Sequence, residues 1–550
     1  MRGYQRRTIV CEILRGEATR AKSAHKFLYW QFCRRSHLPV PARPTDCNGG
    51  LHVSFNKAFL ENRDAAHHVP HDMKPVLLLP LILFSSFTPV SVLGQGETAK
   101  VLKAGAATSN ITPPLGMEIV GNFAPRPIAG NVHDELHVRC LVLDDGTTRL
   151  VFVVADTISL GREVWDEAKQ KVEALTGIPA ANLMFSTTHT HSSVAPVASP
   201  GGKLHYRDLL VSRVVDVVRR AIHQLEPARI AWGAGRVPQH VFNRRWLLKE
   251  GMTNPSPFGA EDRAVMNPGG HLRARLAGPA GPTNPEVYCL SVQALDGHQI
   301  ALMANYWLHY VGGVPREDLS ADYFGEFCKL VEHKLSIDGD RRPVVGILAN
   351  GPCGDVNNND YSGNTAAVAR KPYEKIKLVA ADLAAEVLRV HGTLKYQNCV
   401  PLKAAAEDLE ITVRRPSAEM VQWAEEVLAK PQDLPTRHPL ERPYAERTLT
   451  ARDAKPDTVS CVMQAFRIGE LGIASIPFEV FTEIGLEIKA RSPFQDTFTI
   501  ELANGSYGYL PTPAQHALGG YETWLGTNRV ERDASVKITA KILDLLGRVR

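Results

Sequence analysis

Cysteine is scarce, nine residues in 550. The six beyond position 94 (Cys140, Cys289, Cys328, Cys353, Cys399 and Cys461) are scattered, with no Cys-x-x-Cys spacing. That density excludes a disulfide-built scaffold, although an exported chain could pair some of them. No Gly-x-Ser-x-Gly elbow occurs, which argues against a metal-free α/β hydrolase built on a serine nucleophile. No internal repeat is visible. Net charge is small, +5 overall, and it is local: residues 1–72 carry 12 Lys/Arg against 6 Asp/Glu, leaving the rest at about −1. Nothing in that balance asks for nucleic acid as a partner. No amphipathic helix rich in aromatics and Lys/Arg stands out as a membrane-docking element.

The one strongly apolar run begins at Met73, "MKPVLLLPLILFSSFTPVSVLGQGE". It has one Lys, an apolar centre and a small-residue end at Val92–Leu93–Gly94, the pattern of a secretory signal peptide. Pro80, Ser85 and Ser86 interrupt it, and it is too short to span a bilayer well. A signal buried at position 73 makes no targeting sense. Translation is therefore expected to start at Met73, with 1–72 a disordered upstream extension produced by start-site choice, 73–94 the signal, and 100–550 the functional domain of a secreted or periplasmic protein.

Beyond the signal, strand-like and helix-like runs alternate. "RLVFVVAD" (149–156) reads as a buried strand, "REVWDEAKQKVEALTG" as a helix closing on Gly177, "NLMFSTTH" as the next strand, and "YRDLLVSRVVDVVRRAIHQLE" as a long amphipathic helix. The order predicts an α/β fold of mixed, largely parallel sheets layered with helices. Long Gly/Pro/Asn-rich connections at 251–286 and 351–366 are of a length that is usually functional.

The chemistry concentrates where strands end. "FSTTHTHSS" (185–193) places His189 and His191 two apart at the end of an apolar run. On an extended strand both rings would face one way, a common metal-ligand spacing. Alone, the pair is as compatible with a hydrogen-bonded structural role. His309 ends a second strand, "ALMANYWLH", and "NGPCGDVNNND" (350–360) closes a third. Three such ends look like the lining of one pocket at the carboxyl edge of a sheet.

From about Ala104 to the C-terminus the sequence resembles the neutral/alkaline ceramidases, zinc-dependent amidases that cleave the N-acyl bond of ceramide. The resemblance rests on "AGAATSNITPPLGMEIVGNF", with Asn110 where the family has Asp, on "VHDELHVRCLVL" and "VFVVAD", on "THTHS", and on "FNRRW" (242–246). It implies one zinc ion per chain held by His189, His309, Glu479 of "IPFEVFTEIG" and Tyr509 of "GSYGYLPTP". It implies His191 as the proton carrier, Tyr521 of "GGYETW" and Arg244 as oxyanion donors, and Asn243, Asp355 and Asn357 on the substrate. Asp156 and Asp322 would orient the histidines. Without the resemblance, Glu479 could equally cap the helix after Pro477, and Tyr507 and Tyr509 could be ordinary half-buried aromatics.

Two departures bear on substrate. The family's Gly-Asp-Val-Ser-Pro-Asn reads "GDVNNN" (354–359) here, so Asn357 replaces a serine treated as catalytic. The C-terminal immunoglobulin-like domain that many members carry is not expected here. The resemblance thus implies an exported zinc hydrolase of a ceramide-like lipid or related amide. A hydrolase of another amide or ester, and a non-catalytic ligand-binding protein on the same scaffold, stay open.

Overall fold

A computed structural model describes residues 101–550 apart from 122–124, 198–204, 338, 339, 341 and 364–367. The expected upstream extension and signal peptide lie outside the described residues. The main sheet has eight strands: β1 (Lys103–Asn110), β2 (His137–Asp144), β3 (Arg149–Ala155), β4 (Leu183–Thr187), β5 (Glu226–Arg236), β6 (Glu286–Ala294), β7 (Gln299–Tyr306) and β8 (Val345–Asn350). Their order is β8-β7-β6-β5-β1-β2-β3-β4. The two four-stranded halves join through a short pairing of Lys103–Ala104 with Glu226–Pro227. A second sheet contains β9 (Leu402–Thr412), β10 (Thr458–Ile468), β11 (Leu471–Ile476) and β12 (Asp496–Glu501), paired in that order.

The layered, mixed α/β architecture is as expected, but the pairing is mostly antiparallel. Only β3–β4 and β7–β8 in the main sheet and β11–β12 in the second are parallel. The other neighbours are antiparallel, several joined by tight turns such as Asp145–Thr148 between β2 and β3 and Leu295–His298 between β6 and β7. Asp145-Gly146 and Asp296-Gly297 between apolar runs are hairpin signals that the helix-alternation reading passed over.

Each parallel pair is a βαβ unit. Its crossover helix is α1 (Arg162–Thr176) for β3–β4 and α3 (Asp322–Leu335) for β7–β8, and Thr482–Arg491 crosses between β11 and β12. Helices α2 (Tyr206–His223) and α4 (Glu374–His391) complete the outer layer. Helix α1 stops where Gly177 takes up φ 71° and its N–H closes on Glu173 O at 2.8 Å, an αL cap that suits glycine.

Period-two patterning explains why β2 and β3 read as unbroken apolar runs, since both faces are buried. Val138, Cys140, Val142, Val151 and Val153 face Trp165 and the inner sides of α1 and α2. Leu141, Leu143, Leu150 and Phe152 face the second sheet, where Phe152 meets Phe466 edge-on at 5.3 Å. The far side of the second sheet packs on Ile538, Ile542 and Leu546 of the C-terminal helix Ala534–Val549. The order of layers is therefore helix, sheet, sheet, helix, within the single unit Leu93–Arg550. No helix among the described residues is long and apolar enough to cross a membrane. The six cysteines there are all free, five of them buried.

One buried charge stands out in this core. Lys169, on the inner face of α1, is 4% exposed with its ammonium 5.7 Å from the centre of the Phe185 ring. Burial pulls its pKa down to about 7. Above that value the folded chain binds fewer protons than the unfolded one, so this residue makes stability rise with pH from about 7 towards its ordinary value of 10.5. Lys169→Met should flatten that rise in urea-unfolding midpoints taken between pH 7 and 9.5. An unchanged difference between the two proteins across the window would refute the assignment.

Candidate active site

Four strand ends converge on one point. His189 follows β4, His309 follows β7, the 350–355 turn follows β8 and Glu479 follows β11. These are the carboxyl ends of strands in the three parallel pairs, where side chains project beyond the sheet.

His189 does not continue the strand. β4 stops at Thr187, and His189 adopts φ 67°, a left-handed conformation unusual for a side-chain-bearing residue. Its backbone N–H donates to Thr157 O at 3.0 Å. The rings of His189 and His191 therefore do not lie side by side on a strand. They meet at 86°, with Nε2 atoms 3.2 Å apart. His309 Nε2 is 3.0 Å from His189 Nε2. Glu479 places Oε2 3.3 Å from His189 Nε2 and 3.8 Å from His309 Nε2, with no hydrogen bond of good geometry to it.

The backbone sets the tautomers. His189 Nδ1 donates to Ile158 O at 2.7 Å and His309 Nδ1 to Cys353 O at 3.2 Å. A carbonyl only accepts, so each Nδ1 carries the hydrogen and, in neutral rings, each Nε2 presents a lone pair. Two lone pairs facing each other at 3.0 Å beside a carboxylate require a positive charge, a proton or a metal ion. Burial opposes protonation of His189, but the Glu479 carboxylate outweighs it and holds the His189 pKa above its ordinary value. Burial, then the charge on His189, drives His191 and His309 well below theirs.

Tyr509 reaches the same group through sheet register. The two-residue strands Glu479–Val480 and Tyr509–Leu510 pair in parallel with Glu479 opposite Tyr509. Glu479 is thus part of a strand end and does not serve as a helix cap. Burial raises the Tyr509 pKa well above its ordinary value, while the Arg244 guanidinium, 5.3 Å from the ring centre, works in the opposite direction. Tyr521 lies next, its ring 5.8 Å from that of Tyr509, its pKa pushed up to about 12 by burial and then by the Glu479 charge.

Arg244 is held from behind. Its Nε donates to Glu522 Oε1 at 2.9 Å, and Arg245 Nη1 donates to Glu522 Oε2 at 2.6 Å. Arg244 Nη2 is buried with no hydrogen-bond acceptor.

Other expected roles fall differently. Asn243 and Asp355 are buried and turned towards each other: Asn243 Nδ2 donates to Asp355 Oδ2 at 2.8 Å, and Asp355 Oδ1 accepts from Thr482 N and Oγ1 at 2.8 and 2.9 Å. They brace the 243–245 segment against the helix after Glu479, and the structure gives neither a free polar atom for substrate. Asn357 donates from Nδ2 to Asn267 Oδ1 at 2.8 Å and Tyr361 at 3.0 Å, and its Oδ1 accepts from Asn359 N at 2.9 Å, so it too is engaged within its loop. Asp156 touches neither histidine ring; it pairs with Arg139 at 2.6 Å. Asp322 accepts from Val311 N and Gly312 N at 3.0 and 2.9 Å, fixing the loop beyond His309 and not the ring itself.

Residues the sequence reading passed over complete the site. Tyr310 stacks on His191 with centroids 3.8 Å apart. Gly121, at φ 111°, lies so close to that ring that a Cβ would sit 2.8 Å from His191 Cγ and Nδ1. Glu501, fully buried at the end of β12, accepts from Val480 N at 2.8 Å and Cys353 Sγ at 2.9 Å and so ties the Glu479 and His309 segments together. Position next to a motif histidine was the only signal for Tyr310. A strand-end acid, "TIELANG", was the signal for Glu501.

Fold and site together define a buried three-histidine, one-carboxylate cluster at the carboxyl edge of a layered α/β scaffold. Two solved structures with a similar fold are described as ceramidases. The neutral ceramidase from Pseudomonas aeruginosa superposes with a TM-score of 0.61 at 17% identity, over 81% of this chain and 74% of that one. A structure described as ceramidase complexed with C2 gives 0.58 at 17% identity, over 81% and 75%. No protein-family model matches the chain. The chain is neutral-ceramidase-like in fold.

Glu522→Gln tests the support of Arg244. Removing a fully buried carboxylate from two buried guanidiniums should cost about 3–5 kcal/mol of stability. A loss below about 1 kcal/mol by urea titration would show that Glu522 is dispensable.

Proposed function

We propose that the chain is a zinc-dependent hydrolase that cleaves the N-acyl amide bond of a ceramide-like lipid with water. The observation that carries this reading is the convergence of His189 Nε2, His309 Nε2 and Glu479 Oε2 at 3.0 to 3.8 Å. Ligands on one tetrahedral zinc are about 3.3 Å apart when Zn–N is about 2.0–2.1 Å. The donor types, the carbonyl-locked Nδ1 atoms and the under-bonded Glu479 Oε2 fit that ion. His189, His309 and Glu479 would hold it, with Tyr509 beside them. Bound zinc would supply Lewis-acid polarisation of the scissile carbonyl and a lowered pKa for the attacking water. The ceramidase likeness supports the amide and lipid part of the reading.

The chain's own side chains do the rest. His191 Nδ1 lies against the backbone of Gly121, without a contact as short as those of His189 and His309 to their carbonyls. Its ring would take the proton from water and return it to the leaving amine. Arg244 Nη2 and the Tyr521 hydroxyl donate to the carbonyl oxygen as charge develops on it. Tyr310, stacked on His191, and Gly121, against its other side, fix the ring's plane. A water route needs no serine at 357, so the Asn357 replacement is compatible with turnover.

Zinc near one per chain is expected in the purified protein, with turnover of a fluorogenic N-acyl sphingosine. His189→Ala should lose both, activity falling about a thousandfold or more. His191→Ala should keep zinc and lose about 10²–10⁴-fold in kcat. The 3.2 Å approach of His191 Nε2 to His189 Nε2 favours one alternative, His191 as a ligand, and co-loss of zinc in His191→Ala would establish it. The engaged Asn357 favours a second reading, a non-catalytic binding protein on the same scaffold. Stoichiometric zinc without turnover on a panel of amides and esters would select it. Export through the Met73 signal belongs to the same proposal, and recovery of residues before Met73 from secreted protein would overturn it.

A further inference from the structure

We propose that a groove between α2 and α3, on the outer side of the main sheet, binds a small oxyanion, phosphate or a phosphate monoester. Two adjoining depressions of about 520 and 270 Å³ share Arg220 and Gln224. The larger is lined by Arg213, Asp216, Arg219 and His223 of α2, with Asp216 4.0 Å from Arg213, and the smaller by His137, Arg139, Lys329 and Glu332. Positive groups therefore dominate the walls.

Two of them are set in advance. Arg220 Nη1 is held by Thr108 O at 2.7 Å and Ser109 Oγ at 3.2 Å. Its guanidinium is thereby fixed at the edge where the depressions meet. Arg139, 5% exposed, is anchored through Nη1 to Asp156 Oδ2 at 2.6 Å, yet its Nε is buried with no hydrogen-bond partner. A buried guanidinium nitrogen without an acceptor is costly, and an oxyanion in the groove is the kind of group that removes the cost. Of the two acids in the walls, Glu332 is engaged by the backbone, its Oε1 accepting from Gly346 N at 3.0 Å, and Asp216 faces Arg213. The floor, Ala107, Val344 and Val345, offers side chains that make no hydrogen bonds. A compact anion reaching Arg139, Arg220 and Lys329 together fits those walls better than a long polyanion. Arg213 and Arg219 would form an outer rim.

Calorimetric titration of the zinc-loaded full chain with inorganic phosphate and, separately, with phenyl phosphate tests this. Saturable binding is expected at millimolar concentration or below, with the two ligands competing. Arg220→Gln and Lys329→Gln should each weaken it about tenfold, the loss of one charge-assisted bond, with the circular dichroism spectrum unchanged. Phosphate alone saturating would identify a free anion, and phenyl phosphate binding much more tightly would identify a monoester; either supports the site. Heat that stays linear to 50 mM, or binding insensitive to both variants, would overturn the proposal. So would binding abolished by His189→Ala and untouched by Arg220→Gln, because the anion would then sit on the metal.

Discussion

Two hydrogen bonds to peptide carbonyls fix the chemistry of the site. Ile158 O takes the Nδ1 hydrogen of His189 and Cys353 O that of His309. Both Nε2 lone pairs are then committed to the space next to Glu479. Neither acceptor is a side chain, so no substitution at 158 or 353 removes it directly; the arrangement belongs to the backbone path. That path is made by the left-handed turn at His189 and by the turn after β8, and each is held by neighbours: Thr157 O receives His189 N, and Glu501 receives the thiol of Cys353. The buried acids around the cluster read most simply as fasteners of backbone. Asp355 secures Thr482, Asp322 secures 311–312, and Glu501 secures 480 and 353. Each carboxylate is spent on N–H groups that would otherwise be stranded in the interior.

What could be read from the sequence was set by local rules. Apolar periodicity located α1, α2 and the strands that end in His189 and His309, because amphipathic faces and buried runs leave a pattern within twenty residues. Motif resemblance singled out His189, His309, Glu479 and Tyr509; the structure groups His189, His191 and His309, sets Glu479 beside them and places Tyr509 opposite Glu479 in register. Strand direction was not legible from alternation of elements. Asp145-Gly146 and Asp296-Gly297 turn the chain back on itself, and only three crossovers are of the βαβ kind. The roles of Asn243, Asp355, Asp156 and Asp322 were misjudged for a related reason: a buried polar residue near a motif satisfies backbone and neighbouring charges at least as often as it faces a ligand, and only coordinates tell which.

The supporting charges are arranged in the same way. Glu522 holds Arg244 and Arg245 by separate oxygens, and Arg244 in turn lies over the Tyr509 ring. One carboxylate with no exposed surface thus positions a guanidinium over a phenol ring, although Glu522 lies in a short 3₁₀ turn far from either arginine in sequence. The pair Arg244–Arg245 shows how adjacent like charges are tolerated in an interior: the shared acid supplies the countercharge, and Gln515 and Gly519 supply further acceptors for Arg245.

The groups that meet at the cluster come from β4, β7, β11 and the segment at 509, spread across some three-fifths of the chain. A ribosome-bound chain that has emerged only as far as His309 possesses the three imidazoles and not yet the Glu479 carboxylate beside them. Glu479 gains its neighbour Tyr509 only when two strands of two residues each align, an association too short to persist without the layers on both sides. The full set is therefore assembled only when the second sheet is complete, and a chain truncated before Tyr509 would leave Glu479 without its strand partner.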